Sequence, residues 1–176
     1  MRDSARFHFG FTVPYSAHFS ATAAVEAVAR SKGDLALVPA TTSRSPWWIA
    51  LEPRDAPKII ARLPFIERAD HPAALPVFVV SRVADSAMVT EVEMWSVRVS
   101  GWNAEIARAL SPLAEIVAVP DTAFDGAALL VSVAGQGGLE RIKAALIEAG
   151  ASVRSSALVG SHATRYMVPP NGAAKS

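Results

Sequence analysis

Cysteine is absent from the 176 residues. That excludes disulfides, zinc–thiolate centres and thiol catalysis. Long apolar runs are missing too: nothing approaches the roughly 18 residues of a membrane-spanning helix. The longest candidate, Ala127 to Ala134, is strand-sized and carries Ser132. The opening Met1-Arg2-Asp3-Ser4-Ala5-Arg6 leads into no extended apolar segment of the secretory-signal kind. There is no surplus of one charge, since 17 Lys and Arg stand against 16 Asp and Glu. Without a basic excess to neutralise phosphates, nucleic acid is not an expected partner. Histidine is scarce, and His8, His18, His71 and His162 show neither metal-ligand spacing nor an HExxH pattern. Neither a metal nor a cofactor is expected. What the chain does have is apolar: 51% hydrophobic residues against 19% charged, the reverse of a disordered segment. These balances predict a soluble, cytoplasmic protein of one domain or two small ones.

Helical and strand rhythms alternate along the chain. Ser20 is a suitable N-cap, Ala21, Ala24, Val25 and Val28 recur at helical spacing, and Gly33 can close the helix. Asp34 then turns into a short apolar strand, Leu35-Ala36-Leu37-Val38, stopped by Pro39. A polar loop, 40–46, follows, and Ser45-Pro46 can start a short helix carrying Trp47, Trp48 and Leu51. Residues 58–66 read as a strand with Ile59, Ala61, Leu63 and Phe65 on one face, pushed towards an edge by Pro64. Residues 77–82 are apolar on both faces, as in a central strand. The natural division falls near 84–90.

Beyond it the pattern is βαββαβ. A strand from Glu93 alternates Trp95, Val97 and Val99 with polar residues. Asn103 caps a helix bearing Ile106, Leu110 and Leu113, limited by Pro112. Strands follow at Glu115–Val119 and Ala127–Val133, joined through an Asp125-Gly126 turn. Gly137-Gly138 opens a helix with Leu139, Ile142, Leu146 and Ile147 on one face, and Val153–Val159 is the last strand. This succession over 93–160 predicts a ferredoxin-like unit with both helices on one face of an antiparallel sheet.

Two blocks carry a family resemblance. His18-Phe19-Ser20-Ala21-Thr22-Ala23-Ala24-Val25-Glu26-Ala27-Val28 followed by Ser31-Lys32-Gly33-Asp34-Leu35-Ala36-Leu37-Val38-Pro39 resembles prephenate dehydratase. Val77-Phe78-Val79-Val80-Ser81-Arg82 looks like that family's strand before its regulatory ACT domain, and 93–160 has the ACT plan. Pro46-Trp47-Trp48, Ala56–Phe65 and Leu158–Ala163 are similar to the dehydratase-like region of a two-part bacterial chorismate mutase. The resemblance implies an α/β (α+β) chain. Residues 1–86 would be a reduced prephenate-dehydratase-like lobe, 87–170 an ACT-like ferredoxin-like domain, and 171–176 a tail.

The same resemblance implies loss of catalysis. Prephenate dehydratases carry Pro-x-Glu-Asn-Ser after the strand; here Pro39 is followed by Ala40-Thr41-Thr42-Ser43, and only Ser43 agrees. Their Thr-Arg-Phe motif would fall near Leu75-Pro76-Val77, which has neither hydroxyl nor guanidinium. Residues 44–73 are too few for a second lobe, and no long charged helix could supply a mutase site. The expectation is therefore a non-catalytic regulatory or ligand-binding part of a chorismate mutase/prephenate dehydratase relative in aromatic amino acid biosynthesis. It would be a homodimer, either a fragment of a longer protein beside a mutase domain or a truncated descendant. The alternatives are a divergent prephenate dehydratase and a ligand-free dimerisation module.

The expected effector is an aromatic amino acid or related carboxylate. Thr41, Thr42 and Ser43 lie on a loop past a strand's carboxyl end, where open sheets bind ligands, though such hydroxyls also simply cap their own turn. Trp47 and Trp48 commonly split, one packing and one left at a rim to wall an aromatic pocket. Ser100-Gly101-Trp102-Asn103 occupies the loop that holds effectors in ACT domains, with a helix N-terminus beyond it; the plain alternative is an N-capped turn. Gly135-Gln136-Gly137-Gly138 lacks a phosphate-loop ending and reads as a helix entry. Arg62 and Arg82 can face a carboxylate or solvent, and Glu91 and Glu93 read as a wet face rather than an acid/base pair.

Overall fold

The computed structural model describes residues 1–41, 43–68, 75–82, 91–121, 126–135 and 137–168. Thr42, His71, the 84–90 division, Asp125, Gln136 and the 171–176 tail lie outside the described residues. The chain is α+β. Its elements are α1 (Arg2–Phe9), α2 (Ala21–Ala29), β1 (Ala36–Pro39), a 3-10 helix (Trp47–Leu51), β2 (Lys58–Leu63), β3 (Ile66–Glu67) and β4 (Val77–Ser81). Then come β5 (Val92–Ser100), α3 (Ala104–Leu110), β6 (Glu115–Asp121), β7 (Gly126–Ala134), α4 (Gly138–Glu148), β8 (Ser152–His162) and β9 (Tyr166–Met167).

Seven strands form one sheet in the order β1-β4-β2-β8-β5-β7-β6, with β3 and β9 in a separate parallel pair. Within it, β8-β5-β7-β6 are mutually antiparallel. Ile106 and Leu110 of α3, with Leu139, Ile142 and Leu146 of α4, pack on Val97, Val99, Leu129, Val131 and Val133. The βαββαβ stretch thus carries both helices on one face, although Leu113 and Ile147, expected on the same stripes, are exposed. Burying Ile142 and Leu146 contributes roughly 2 kcal/mol each.

The opposite face holds the larger core. Val25 and Val28 of α2, Trp47, Trp48 and Leu51 pack there against Ile59, Phe78 and Val80, together with Met94, Leu130 and Val159. Residues on both sides of the expected 86/87 division therefore share one sheet and one apolar cluster. Glu52 reinforces the union: Ser96 Oγ donates to its carboxylate at 2.7 Å and Arg98 at 3.4 Å.

Several expectations need correction. β2 is not an edge strand but lies between β4 and β8; Pro64 falls just past its end, where no ladder N–H is needed. Ile59 pairs Val80 while Ala61 pairs Val79, so Ile60 is an extra residue in the ladder. This bulge breaks the expected Ile59/Ala61/Leu63 face, leaving Ile59 in the larger core and Leu63 in a smaller one with Val77 and Val79. α2 keeps its Ser20 cap, whose hydroxyl accepts from Ala23 N–H at 3.1 Å, but ends at Ala29, before Gly33. Trp47 and Trp48 do not split, being 2% and 0% exposed. β4 is buried throughout, as expected of a central strand.

Candidate functional site

Register decides which residues meet. β2 and β8 run parallel through Ile59 and Gly160, the one parallel pairing in the seven-stranded sheet among the described residues. Their carboxyl ends, Leu63 and His162, therefore point to the same end of the sheet. Antiparallel pairing brings Val92, Ala134 and Glu115 to that end too. A cavity of about 380 Å³ opens here, walled by Arg62, Val92, Leu113, Glu115, His162 and Arg165 among others.

The bulge at Ile60 turns Arg62 onto the Phe78 side of β2. Its guanidinium lies 5.4 Å from the Phe78 ring centroid and the residue is 3% exposed. Both Nη atoms donate to the Glu115 carboxylate, the planar fork-to-fork pairing that suits arginine. Arg165 continues the chain of charges, donating to Glu115 at 3.1 Å and to Glu67 across the β3–β9 pair. Two guanidinium and two carboxylate groups thus neutralise one another, with Arg62, Glu115 and Arg165 on the cavity wall and Glu67 outside it.

His162 completes that wall. Its Nδ1 lies 2.7 Å from the Ala163 carbonyl oxygen. A carbonyl only accepts, so Nδ1 carries the hydrogen and Nε2 presents a lone pair. That Nε2 is buried without a hydrogen-bond partner among the described residues, on a residue only 2% exposed. Burial, aided by the nearby Arg62 and Arg165 charges, holds the imidazole pKa below its ordinary value, against the opposing pull of Ala163 and Glu115. Burial raises the Glu115 pKa, but the Arg62 hydrogen bonds and the Arg62 and Arg165 charges outweigh it and the net shift is downward. At neutral pH the wall accordingly holds a neutral acceptor beside fixed, paired charges. Buried polar atoms normally find partners, and among the described residues this Nε2 has none.

No family model matches this sequence. No curated protein and no solved structure matches it either.

The loops singled out in the sequence lie elsewhere. Thr41 and Ser43 follow β1 at the same end of the sheet, but β1 is two strands from β2, roughly 10 Å away. Ser43 Oγ is engaged with the Ser45 backbone, donating to its oxygen and accepting from its N–H at 3.3 Å. Trp47 is sealed in the core beside Trp48 and Phe78. Ser100, Gly101 and Asn103 sit at the far end of nine-residue β5, roughly 25–30 Å from the cavity end. Asn103 Oδ1 accepts from Glu105 and Ile106 N–H at 2.9 and 3.0 Å, which uses the donors an effector would need. Arg82 donates to the Ala29 carbonyl at 3.1 Å, Glu93 accepts from Trp95 Nε1, and Glu91 accepts from Thr164 N–H at 2.7 Å.

A second depression, about 420 Å³, lies along α1 against Asp3, Arg6, Phe7 and Phe11, none of them buried. It has no desolvated polar group to orient a ligand. Among the described residues no group of three or more acidic or histidine side chains is placed to hold a metal, and no helix is long and apolar enough to cross a membrane.

Proposed function

We propose that this chain is a non-catalytic, ligand-binding regulatory module whose effector is an aromatic amino acid or a related carboxylate, held at the carboxyl ends of β2 and β8. The observation that carries the reading is His162: a desolvated, unpartnered acceptor on the wall of a cavity that also holds Arg62, Glu115 and Arg165. Guanidinium groups suit a carboxylate. Nε2 suits an amino or hydroxyl donor. Val92, Leu113 and Met167 offer an apolar bed for a ring. The βαββαβ order at 93–160 is the ferredoxin-like plan that ACT domains use, and by that resemblance alone the module would stand beside chorismate mutase or prephenate dehydratase in aromatic amino acid biosynthesis. Binding would act by favouring one state of a homodimer or of a mutase partner. β1 and β6, the outer strands of the sheet, are the surfaces for such pairing.

Thermal unfolding with phenylalanine, tyrosine, tryptophan, chorismate and prephenate tests this reading. At least one compound should raise the melting temperature of the native chain, and the rise should vanish in Arg165→Ala. Silence across the panel sinks the ligand reading and leaves a ligand-free dimerisation module. The enzyme alternative, a divergent prephenate dehydratase, also draws on His162, because a neutral imidazole can accept a proton. Phenylpyruvate formation from prephenate, lost in His162→Gln, would establish it.

A further inference from the structure

We propose that Glu115 is an internal stand-in for the ligand's carboxylate: it fills the fork of Arg62 within the chain, and an aromatic carboxylate entering the cavity takes its place. The inference rests on the reading of this cavity as a ligand site and says how the site is built. The two partners are unequally held. The Arg62 side chain is 3% exposed and the Glu115 side chain 47%. Arg62 is fixed from three sides, by β4 and β8 flanking its strand and by the Phe78 face under its guanidinium. Its Nε is buried without a partner among the described residues, so Glu115 alone does not satisfy the group there.

Glu115 is held loosely by comparison. It is the first residue of β6, the outer strand, and follows the Ser111–Ala114 connection that lines the cavity mouth. Swinging out returns a half-exposed carboxylate to water. A buried guanidinium cannot be left without an anion, so exchange of one carboxylate for another is the low-cost route. Within the Arg62 fork one negative charge replaces another. Arg165, which touches both Glu115 and Glu67, can keep hold of Glu115 as it moves. The cavity therefore selects planar carboxylates and discriminates against cations and neutral amides, which cannot occupy the fork.

Benzoate binding to the full chain, measured by titration calorimetry, tests the exchange. Glu115→Ala should bind benzoate at least tenfold more tightly than the native chain, because nothing has to be displaced. Benzoate binding to the native chain with no gain in Glu115→Ala overturns the stand-in and leaves the cavity reading intact. Binding to neither protein overturns both. Should Glu115→Ala not fold, carboxyl-labelled glutamate in the native chain gives the answer. Saturating benzoate should raise the Glu115 titration, and a titration that does not move overturns the proposal.

Discussion

Replacing Gly160 with alanine tests whether the halves of the sheet depend on one close backbone approach. Gly160 is the residue of β8 registered opposite Ile59 of β2. A Cβ built there would lie 2.2 Å from Ile59 O, 2.5 Å from Ile59 N and 2.7 Å from Ile59 Cα. All three are backbone atoms, so no rotamer change relieves the clash; the strands must part. Its φ of 150° adds a conformation that side-chain-bearing residues rarely adopt. Overpacking costs about 1–3 kcal/mol and an unfavourable backbone region about 1–3 kcal/mol. Together they remove roughly 2–6 kcal/mol from a domain whose total stability is on the order of 5–15 kcal/mol. Gly150→Ala is the matched control: φ there is 92°, but nothing lies within 4 Å of the added Cβ. It should lose only the left-handed penalty of about 1–2 kcal/mol. With a urea slope of about 2 kcal/mol/M, the midpoint followed by tryptophan fluorescence should drop by roughly 1–3 M for Gly160→Ala and about 0.5–1 M for the control. Equal drops would refute the reasoning, because the steric contribution distinguishes the two sites.

Three further outcomes follow from the same geometry. The depressed His162 pKa means that the unfolded chain takes up a proton near pH 6.5 while the folded chain resists it. Stability should therefore be fully present above that pH and fall below it, by at most about 1.4 kcal/mol per pH unit; His162→Gln should flatten the slope just below pH 6.5, and an unchanged slope would assign the effect to other groups. Arg62→Met should cost less than Glu115→Ala, by about 2 kcal/mol in chemical denaturation, since the first frees a half-exposed carboxylate and the second strands a buried cation; the reverse order would refute the view that Arg62 is the fixed partner. Asn103→Ala should lower stability by about 1 kcal/mol through loss of the α3 cap while leaving any ligand-induced melting shift intact. Loss of that shift would return the effector to the Ser100–Asn103 loop.

Elements with a strong local signature were legible in the sequence. Ser20 before the Ala21/Ala24/Val25/Val28 stripe places α2, because a hydroxyl cap and a helical apolar period coincide. The alternation of Trp95, Val97 and Val99 places β5, and Asn103 marks the start of α3. What local pattern cannot supply is the order in which strands lie. Pro64 argued for an edge because proline donates no ladder bond, yet it stands just outside β2. The parallel junction of β2 with β8 joins residues a hundred positions apart, with Gly160 as its enabling residue, and no periodicity encodes such a pairing.

The site was hidden for the same physical reason. Strict alternation puts Arg62 on the side away from Ile59, where water or a stray carboxylate would serve equally well. The bulge at Ile60 reverses that side and sets the guanidinium over the Phe78 ring at the margin of the larger core. A charge placed there has to be paired, and Glu115 answers from 53 residues away while Arg165 answers Glu67 from 98. One sequence clue did exist: an arginine among Ile59, Ile60, Ala61 and Leu63 is a polar interruption in an apolar strand, and burial converts such an interruption into a demand for a partner. His162 poses the same demand at the end of Leu158-Val159-Gly160-Ser161, but its Nε2 goes unanswered within the described chain. Arg62 with its answer and His162 without one belong to the two strands that run parallel, and this is why the unmet acceptor and the charged fork fall on one cavity wall.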